Sequence, residues 1–363
     1  MSWEKNVRRV VPYTPGEQPR GERIIKLNTN ENPYPPSAAV LPSLIDIGKG
    51  EFRRYPDPKA EDLVEAIAET YGLTKKQVFV GVGSDDVLAM LFLTFFNGGK
   101  PVLFPDVTYS FYEVWCDLFR IPYTAKPLDE NFHIRTEDYL SPNGGIVLAN
   151  PNAPTGSLLP LSEIERIVSA NADSVVIVDE AYIDFGGESA LPLIDKYENL
   201  VVVQTFSKSR SMAGLRVGYA MGSERLIRFL QDAKYSFNSY TLSTPIIRAA
   251  AAAMRDTEHF QQNCQKIVRT RGRAERRFRE LGFCFEESAA NFLFVTHPLL
   301  PARQIFEYLR GRGIYVRWFD RDRIRNYLRV TIGTDEEMQE FFEVLEGYVY
   351  KVRSYGAGEE TSC

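Results

Sequence analysis

Histidine and cysteine are scarce in this chain, with three His and four Cys among 363 residues. Zinc and other transition-metal sites draw on those two residue types, so few ligands are available for one. Cys116, Cys264, Cys284 and Cys363 show neither metal-type nor paired spacing and read as four reduced thiols. Positive charge is not in excess: 43 Lys and Arg against 48 Asp and Glu leave a formal net charge of −5. That balance argues against nucleic acid as the main partner. Long hydrophobic runs are missing too, and nothing approaches the roughly 20 apolar residues that span a bilayer. The opening Met-Ser-Trp-Glu-Lys-Asn-Val-Arg-Arg lacks the apolar core of a signal peptide. A cytoplasmic protein without metal, membrane or nucleic-acid partner is expected. What remains is ordinary for a soluble globular chain, 25% charged and 44% hydrophobic, and long enough for two lobes with separate cores.

The first 40 residues or so are rich in Pro and Asn and read as an extended arm. Beyond Tyr55-Pro56-Asp57-Pro58 the pattern becomes α/β. Residues 60–71 predict an amphipathic helix, Gln77–Val82 a strand, and Asp85–Phe96 a helix with Ser84 as N-cap. Strand-like runs recur at Val102–Phe104, Gly145–Ala149, Ser174–Val178, Leu200–Gln204 and Val217–Met221, with a helical pattern at Leu161–Ala170. Nearly continuous apolar strands alternating with helices predict a parallel sheet covered on both faces. One long helical stretch is expected from about 243 to 280, with Arg269–Arg279 as a solvated basic face. A smaller α+β unit follows: strands Asn291–Val295, Gly313–Val316 and Tyr327–Thr331, helices Pro301–Arg310 and Asp335–Val352, and a frayed polar tail from Ser354. The division expected is an arm at 1–40, a large α/β domain at 41–260 and a small domain at 261–363.

Lys208 stands directly after a strand, in Thr205-Phe206-Ser207-Lys208, with Arg216 eight residues on. The amine can form a Schiff base with an aldehyde. The hydroxyls and the guanidinium suit a phosphate. Pyridoxal phosphate (PLP) is an aldehyde and a phosphate in one molecule. Asp179, in Asp179-Glu180-Ala181-Tyr182, can keep a pyridine nitrogen protonated, and Tyr182 can bond the ring's phenolic oxygen. Gly81-Val82-Gly83-Ser84-Asp85 joins strand to helix as an anion cradle, without the third glycine of a dinucleotide fingerprint. Tyr109, or alternatively Tyr112, can stack on a flat ring. Asn150-Pro151-Asn152-Ala153-Pro154-Thr155-Gly156 is a turn that offers an amide. Taken singly, each motif also reads as a turn, a surface acid or core packing. Together they sit at predicted strand carboxyl ends, where ligands of such folds gather.

In that order these motifs resemble the fold-type I PLP-dependent aminotransferases over nearly the whole chain. Within that class the resemblance is to the histidinol-phosphate aminotransferases. It rests on Pro12-Tyr13-Thr14-Pro15-Gly16, residues 27–35 (LNTNENPYP), Arg54-Tyr55-Pro56-Asp57, residues 205–216 (TFSKSRSMAGLR), residues 313–319 (GIYVRWF) and residues 327–334 (YLRVTIGT). The resemblance implies that Lys208 carries the cofactor, Asp179 faces the pyridine nitrogen and Tyr182 the ring oxygen. It puts Ser84, Asp85, Thr205, Ser207 and Arg216 around the phosphate, and Tyr109 on the ring. It implies a homodimer with shared sites, Tyr55 reaching the neighbouring subunit's phosphate. The family more often has Asn where this chain has Ala153, so the ring-oxygen amide would pass to Asn152 or be lost. Arg317 and Arg329 would receive phosphate in one half-reaction and carboxylate in the other, with Tyr13 and Asn30 as further substrate contacts. Arg321, Arg323 and Arg325 read as ordinary surface ion pairs. The implied reaction takes histidinol phosphate and 2-oxoglutarate. Competing readings are an aminotransferase for aromatic or other amino acids, a threonine-phosphate decarboxylase-like lyase, a nucleotide-dependent oxidoreductase, and a silent binding protein.

Overall fold

A computed structural model describes residues 3–21, 23–45, 48 and 52–356. In chain order its strands and α-helices are β1 (Ile25–Leu27), α1 (Val40–Ile45), α2 (Glu61–Tyr71), β2 (Val78–Gly81), α3 (Gly83–Phe95), β3 (Val102–Pro105), α4 (Phe111–Phe119), β4 (Tyr123–Lys126), β5 (Gly145–Ala149), α5 (Leu161–Ala170), β6 (Val176–Asp179), β7 (Leu200–Thr205), β8 (Gly218–Gly222), α6 (Glu224–Phe237), α7 (Thr244–Arg255), α8 (Thr257–Glu280), β9 (Phe292–Thr296), α9 (Ala302–Arg310), β10 (Ile314–Trp318), β11 (Tyr327–Thr331) and α10 (Asp335–Gly356).

Seven strands form one sheet in the order β2-β8-β7-β6-β5-β3-β4. β8 runs antiparallel to both its neighbours, and the other pairs are parallel. The expected parallel sheet is therefore a mixed one, with a single reversed strand. Its central strands are buried at every position, which explains why they read as unbroken apolar runs. Alternation sorts them between two cores. Val176, Val178, Leu200 and Val202 pack with α2, α5 and α7. Ile177, Val201 and Val203 pack with α3, α4 and α6 on the other face.

A second sheet, β1-β10-β11-β9, packs its own core against α8, α9 and α10. Its first strand comes from the N-terminal arm, where Ile25 to Leu27 pair parallel with Ile314 to Val316. The arm is thus partly sheet.

Several expectations change. The single helix across 243–280 is two helices, broken at Asp256. That carboxylate accepts the His259 N–H at 3.2 Å as an N-cap and the Ser37 hydroxyl at 2.5 Å. Ser84 does not cap α3. The helix begins at Gly83, the cap position is Val82, and the Asp86 carboxylate accepts the Val82 N–H at 2.9 Å. The basic face of α8 is not uniformly solvated: Arg271 is half-buried and donates to the Phe185 and Ala290 carbonyls at 2.9 and 2.6 Å. α10 continues to Gly356, so Ser354 is helical, and Cys363 lies outside the described residues. Helices α4 and α6 and strand β4 carried no sequence expectation. Among the described residues no helix is long and apolar enough to cross a membrane.

Candidate active site

The carboxyl ends of β2, β3, β5, β6 and β7 open into a cavity of about 940 Å³, roofed by the arm and the second sheet. Lys208, Asp179, Tyr182, Ser84, Asp85, Tyr109, Ser207 and Arg216 line it on one side. Tyr13, Asn30, Arg317 and Arg329 line it on the other. Residues more than 300 positions apart in the chain thus meet around one space.

Lys208 Nζ donates to the Thr29 carbonyl at 3.0 Å and lies 5.8 Å from the centre of the Tyr182 ring. The backbone that carries it is clamped by Asn32, whose Nδ2 donates to the Lys208 and Ser209 carbonyls, both at 3.1 Å. Asp179 is the last residue of β6 and is buried. It accepts the Tyr112 hydroxyl at 2.8 Å and the Ala181 N–H at 3.3 Å. Burial pushes its pKa up to about 6, against the pull of those hydrogen bonds and of Lys208. A buried carboxyl at a cavity wall, short of positive charge, suits a cationic ring nitrogen. Tyr182 accepts from Asn30 Nδ2 at 3.0 Å.

The anion cradle is built by close backbone approach. Gly83 has φ +81°, and a Cβ there would lie 2.5 Å from Arg216 Nη2. A Cβ on Gly218 would lie 2.3 Å from the Ser84 nitrogen. Glycine at both places lets the first turn of α3 sit against β8 with the Arg216 guanidinium folded across it. Arg216 donates to Asp85 at 3.0 Å, and the Tyr109 hydroxyl donates to the other Asp85 oxygen at 2.8 Å. The Thr205 hydroxyl donates to Ser207 Oγ at 3.0 Å and accepts the Ser207 N–H at 3.1 Å. Thr205 stands behind the wall and acts through Ser207. Helix N-terminal amides, hydroxyls and a guanidinium together fit a phosphate.

Arg317 and Arg329 are directly opposed across β10 and β11. Like charges in such a pair repel, and neither has a carboxylate partner among the described residues. Arg329 donates to the Asn28 carbonyl at 3.0 Å, while its buried Nε has no partner. Burial lowers the Arg329 pKa, which is the cost of an unneutralised cation. Arg317 donates to the Thr14 carbonyl at 3.3 Å. Tyr13 stacks on Phe111 with ring centres 4.2 Å apart. Burial raises the Tyr13 pKa while the two arginines pull it down. Two cations without a counter-charge suit this wall to an anion.

Besides Thr205, two expected residues do not line the cavity. Asn152 is buried, and its amide donates to the Val107 carbonyl and to Thr155 Oγ1, both at 2.9 Å. Its oxygen accepts from Thr108 at 2.7 Å. With one proton on the Val107 carbonyl and the other on Thr155, Asn152 offers no donor to the cavity; Ala153 lines it instead. Tyr55 is 81% exposed and stacks on Tyr240 outside the cavity. Sequence reasoning missed the support roles of Tyr112 and Asn32. Tyr112 was weighed as a ring-stacking alternative but lies behind Asp179, and Asn32 stood in a quoted motif with no role given to it.

The comparisons with known proteins agree with this geometry. The family model described as aminotransferase class I and II matches residues 22–345, and the chain belongs to that family. The histidinol-phosphate aminotransferase of Clostridium acetobutylicum is 50% identical over 95% of this chain and 98% of its own. Histidinol-phosphate aminotransferase 1 of Hydrogenovibrio crunogenus is 53% identical over 92% of this chain and 94% of its own. Among solved structures, a histidinol-phosphate aminotransferase from Sinorhizobium meliloti in complex with pyridoxal-5'-phosphate shares the fold. Its TM-score is 0.81 at 24% identity, covering 90% of this chain and 91% of that one.

Proposed function

We propose that this chain is a PLP-dependent transaminase that moves the amino group of histidinol phosphate to 2-oxoglutarate, in histidine biosynthesis. One observation carries the reading. An amine, a buried carboxyl and an arginine pair without a counter-anion face one cavity from opposite walls. When bound, PLP supplies an exchangeable aldehyde and a protonated pyridine that accepts electrons. In this chain Lys208 holds that aldehyde. Its amine would also serve as the base that moves a proton at the substrate carbon. Asp179, ionised by the ring cation, keeps that cation in place. Arg216, Ser207 and the first turn of α3 hold the cofactor phosphate, and Tyr109 covers the ring. Arg317 and Arg329 take the substrate's far anion, so that a phosphate and a carboxylate use one receptor in turn. The Asn30 amide holds the Tyr182 hydroxyl, and Tyr13 walls the substrate side.

The exposed Tyr55–Tyr240 pair, with Phe237 also exposed, supports a homodimer in which Tyr55 serves the neighbouring site. The same frame supports a large domain at 41–260, a small one at 261–363 and an arm at 1–40. The test is a substrate panel. Wild type should convert histidinol phosphate with 2-oxoglutarate far faster than phenylalanine and release no carbon dioxide. Borohydride treatment of the cofactor-loaded protein should leave an adduct at position 208, and Lys208→Ala should lose both adduct and turnover. A colourless protein without adduct sinks the reading.

A further inference from the structure

Arg317 and Arg329 ride on the second sheet, while Lys208 and the cofactor groups ride on the first. Their separation depends on what holds the sheets together at the cavity mouth. On one side the arm does so, through Asn30 to Tyr182 and Asn32 to the Lys208 carbonyl. On the other side stands the 319–326 loop, which joins β10 to β11 and therefore joins the two arginine-bearing strands.

Arg323 in that loop makes the ion pair its sequence suggested, to Asp106, and two further bonds beside it. Its Nη1 donates to Asp106 Oδ2 at 2.7 Å, and its Nη2 donates to the Leu128 and Asp129 carbonyls at 3.1 and 2.9 Å. The guanidinium also lies 5.4 Å from the centre of the Phe132 ring. The acceptors are themselves fixed, since Asp106 Oδ1 accepts the Leu128 N–H at 3.0 Å. The next residue, Ile324, is buried among Val107, Leu128, Phe132 and Phe294, an apolar cluster drawn from both sides of the mouth. A fork with three acceptors on the far side, followed by an apolar plug, is a strap. An isolated exposed ion pair contributes little, but a fork that also holds two carbonyls fixes an orientation.

We propose that Arg323 is a positioning residue: by strapping the β10–β11 loop to Asp106 and to the 128–129 backbone, it sets the reach from Arg317 and Arg329 to the reacting end of the substrate. The proposal rests on the function given above. Arg323 acts through the two arginines, so its loss should be felt by substrates with a far anion and not by those without one.

The test compares wild type, Arg323→Ala and Arg323→Lys as cofactor-loaded enzymes. Histidinol phosphate and histidinol, which lacks the phosphate, are the substrates. Arg323→Ala should lower kcat/KM for histidinol phosphate by about 10- to 100-fold, mostly through KM, the scale of a misplaced binding group. The rate with histidinol should change little, so that discrimination falls. Arg323→Lys, which can make one bond but not the fork, should fall between. Calorimetry with inorganic phosphate on the same holoenzymes should show weaker binding in Arg323→Ala. Equal losses with both substrates, unchanged discrimination, or unchanged phosphate affinity would overturn the proposal. If wild type fails to use histidinol phosphate while Arg323→Ala still weakens phosphate binding, the strap stands and the substrate assignment falls.

Discussion

At position 179 a carboxyl is held almost out of reach of water, and its pKa rises to about 6. The folded pKa lies above the unfolded one, so the folded state binds the extra proton. The stability Asp179 contributes in the cofactor-free protein is therefore full below about pH 4 and lost as pH rises through 6. Asp179→Asn removes that dependence. Urea unfolding of cofactor-free protein should find the variant gaining on wild type between pH 4 and 7. With cofactor present the order reverses in function: the variant should lose turnover by roughly 100-fold or more, as when one preorganised electrostatic contact is removed. Arg329 follows the same logic with opposite charge. Arg329→Lys keeps the cation but not the fork, and should raise KM for histidinol phosphate by about 10-fold or more, the weight of a charge-assisted bond. Lys208 and Asp179 were legible as cavity residues because one follows a strand and the other ends one, and Arg329 because it stands inside a strand with a recognisable motif. That the Asn152 amide points away from the cavity was not legible, because bonds to Val107 and Thr155 leave no trace in composition.

At the scale of elements, the cradle depends on how tightly α3 abuts β8. Gly218→Ala would drive a methyl into the Ser84 nitrogen and the Gly83 backbone. The strand cannot yield, being paired on both sides. Cofactor affinity should fall by at least about 10-fold, read by titration with PLP, and thermal stability should fall with it, since overpacking costs about 1–3 kcal/mol. The two-helix break at Asp256 shows what periodicity alone hides. An Asp fits a helical stripe as well as it fits a cap, and only the Ser37 and His259 contacts select the cap. The reversed direction of β8 was hidden for a similar reason: a strand buried on both faces reads the same whichever way it runs.

For the whole molecule, the site is assembled from an arm, two sheets and, on the proposed reading, a second subunit. That last part predicts complementation. Lys208→Ala and Tyr55→Ala variants, each inactive or weak alone, should recover about a quarter of wild-type sites when unfolded and refolded as an equal mixture. Random pairing makes half the dimers mixed, each with one intact site. No recovery, with mixed dimers shown by mass, would mean that Tyr55 serves its own chain or none.

The sequence by itself determined the alternation of buried strands and helices, the motifs at the strand ends and the kind of chemistry they suit, because periodicity and residue type are local properties. Only the tertiary structure decided which of those groups face one space. It joined β1 to the second sheet, opposed Arg317 to Arg329, tied the Asn152 amide to the Val107 carbonyl, and tied Arg323 to Asp106 and the 128–129 carbonyls. Each of those outcomes is a contact between distant segments, set by strand register and packing rather than by neighbours in the chain.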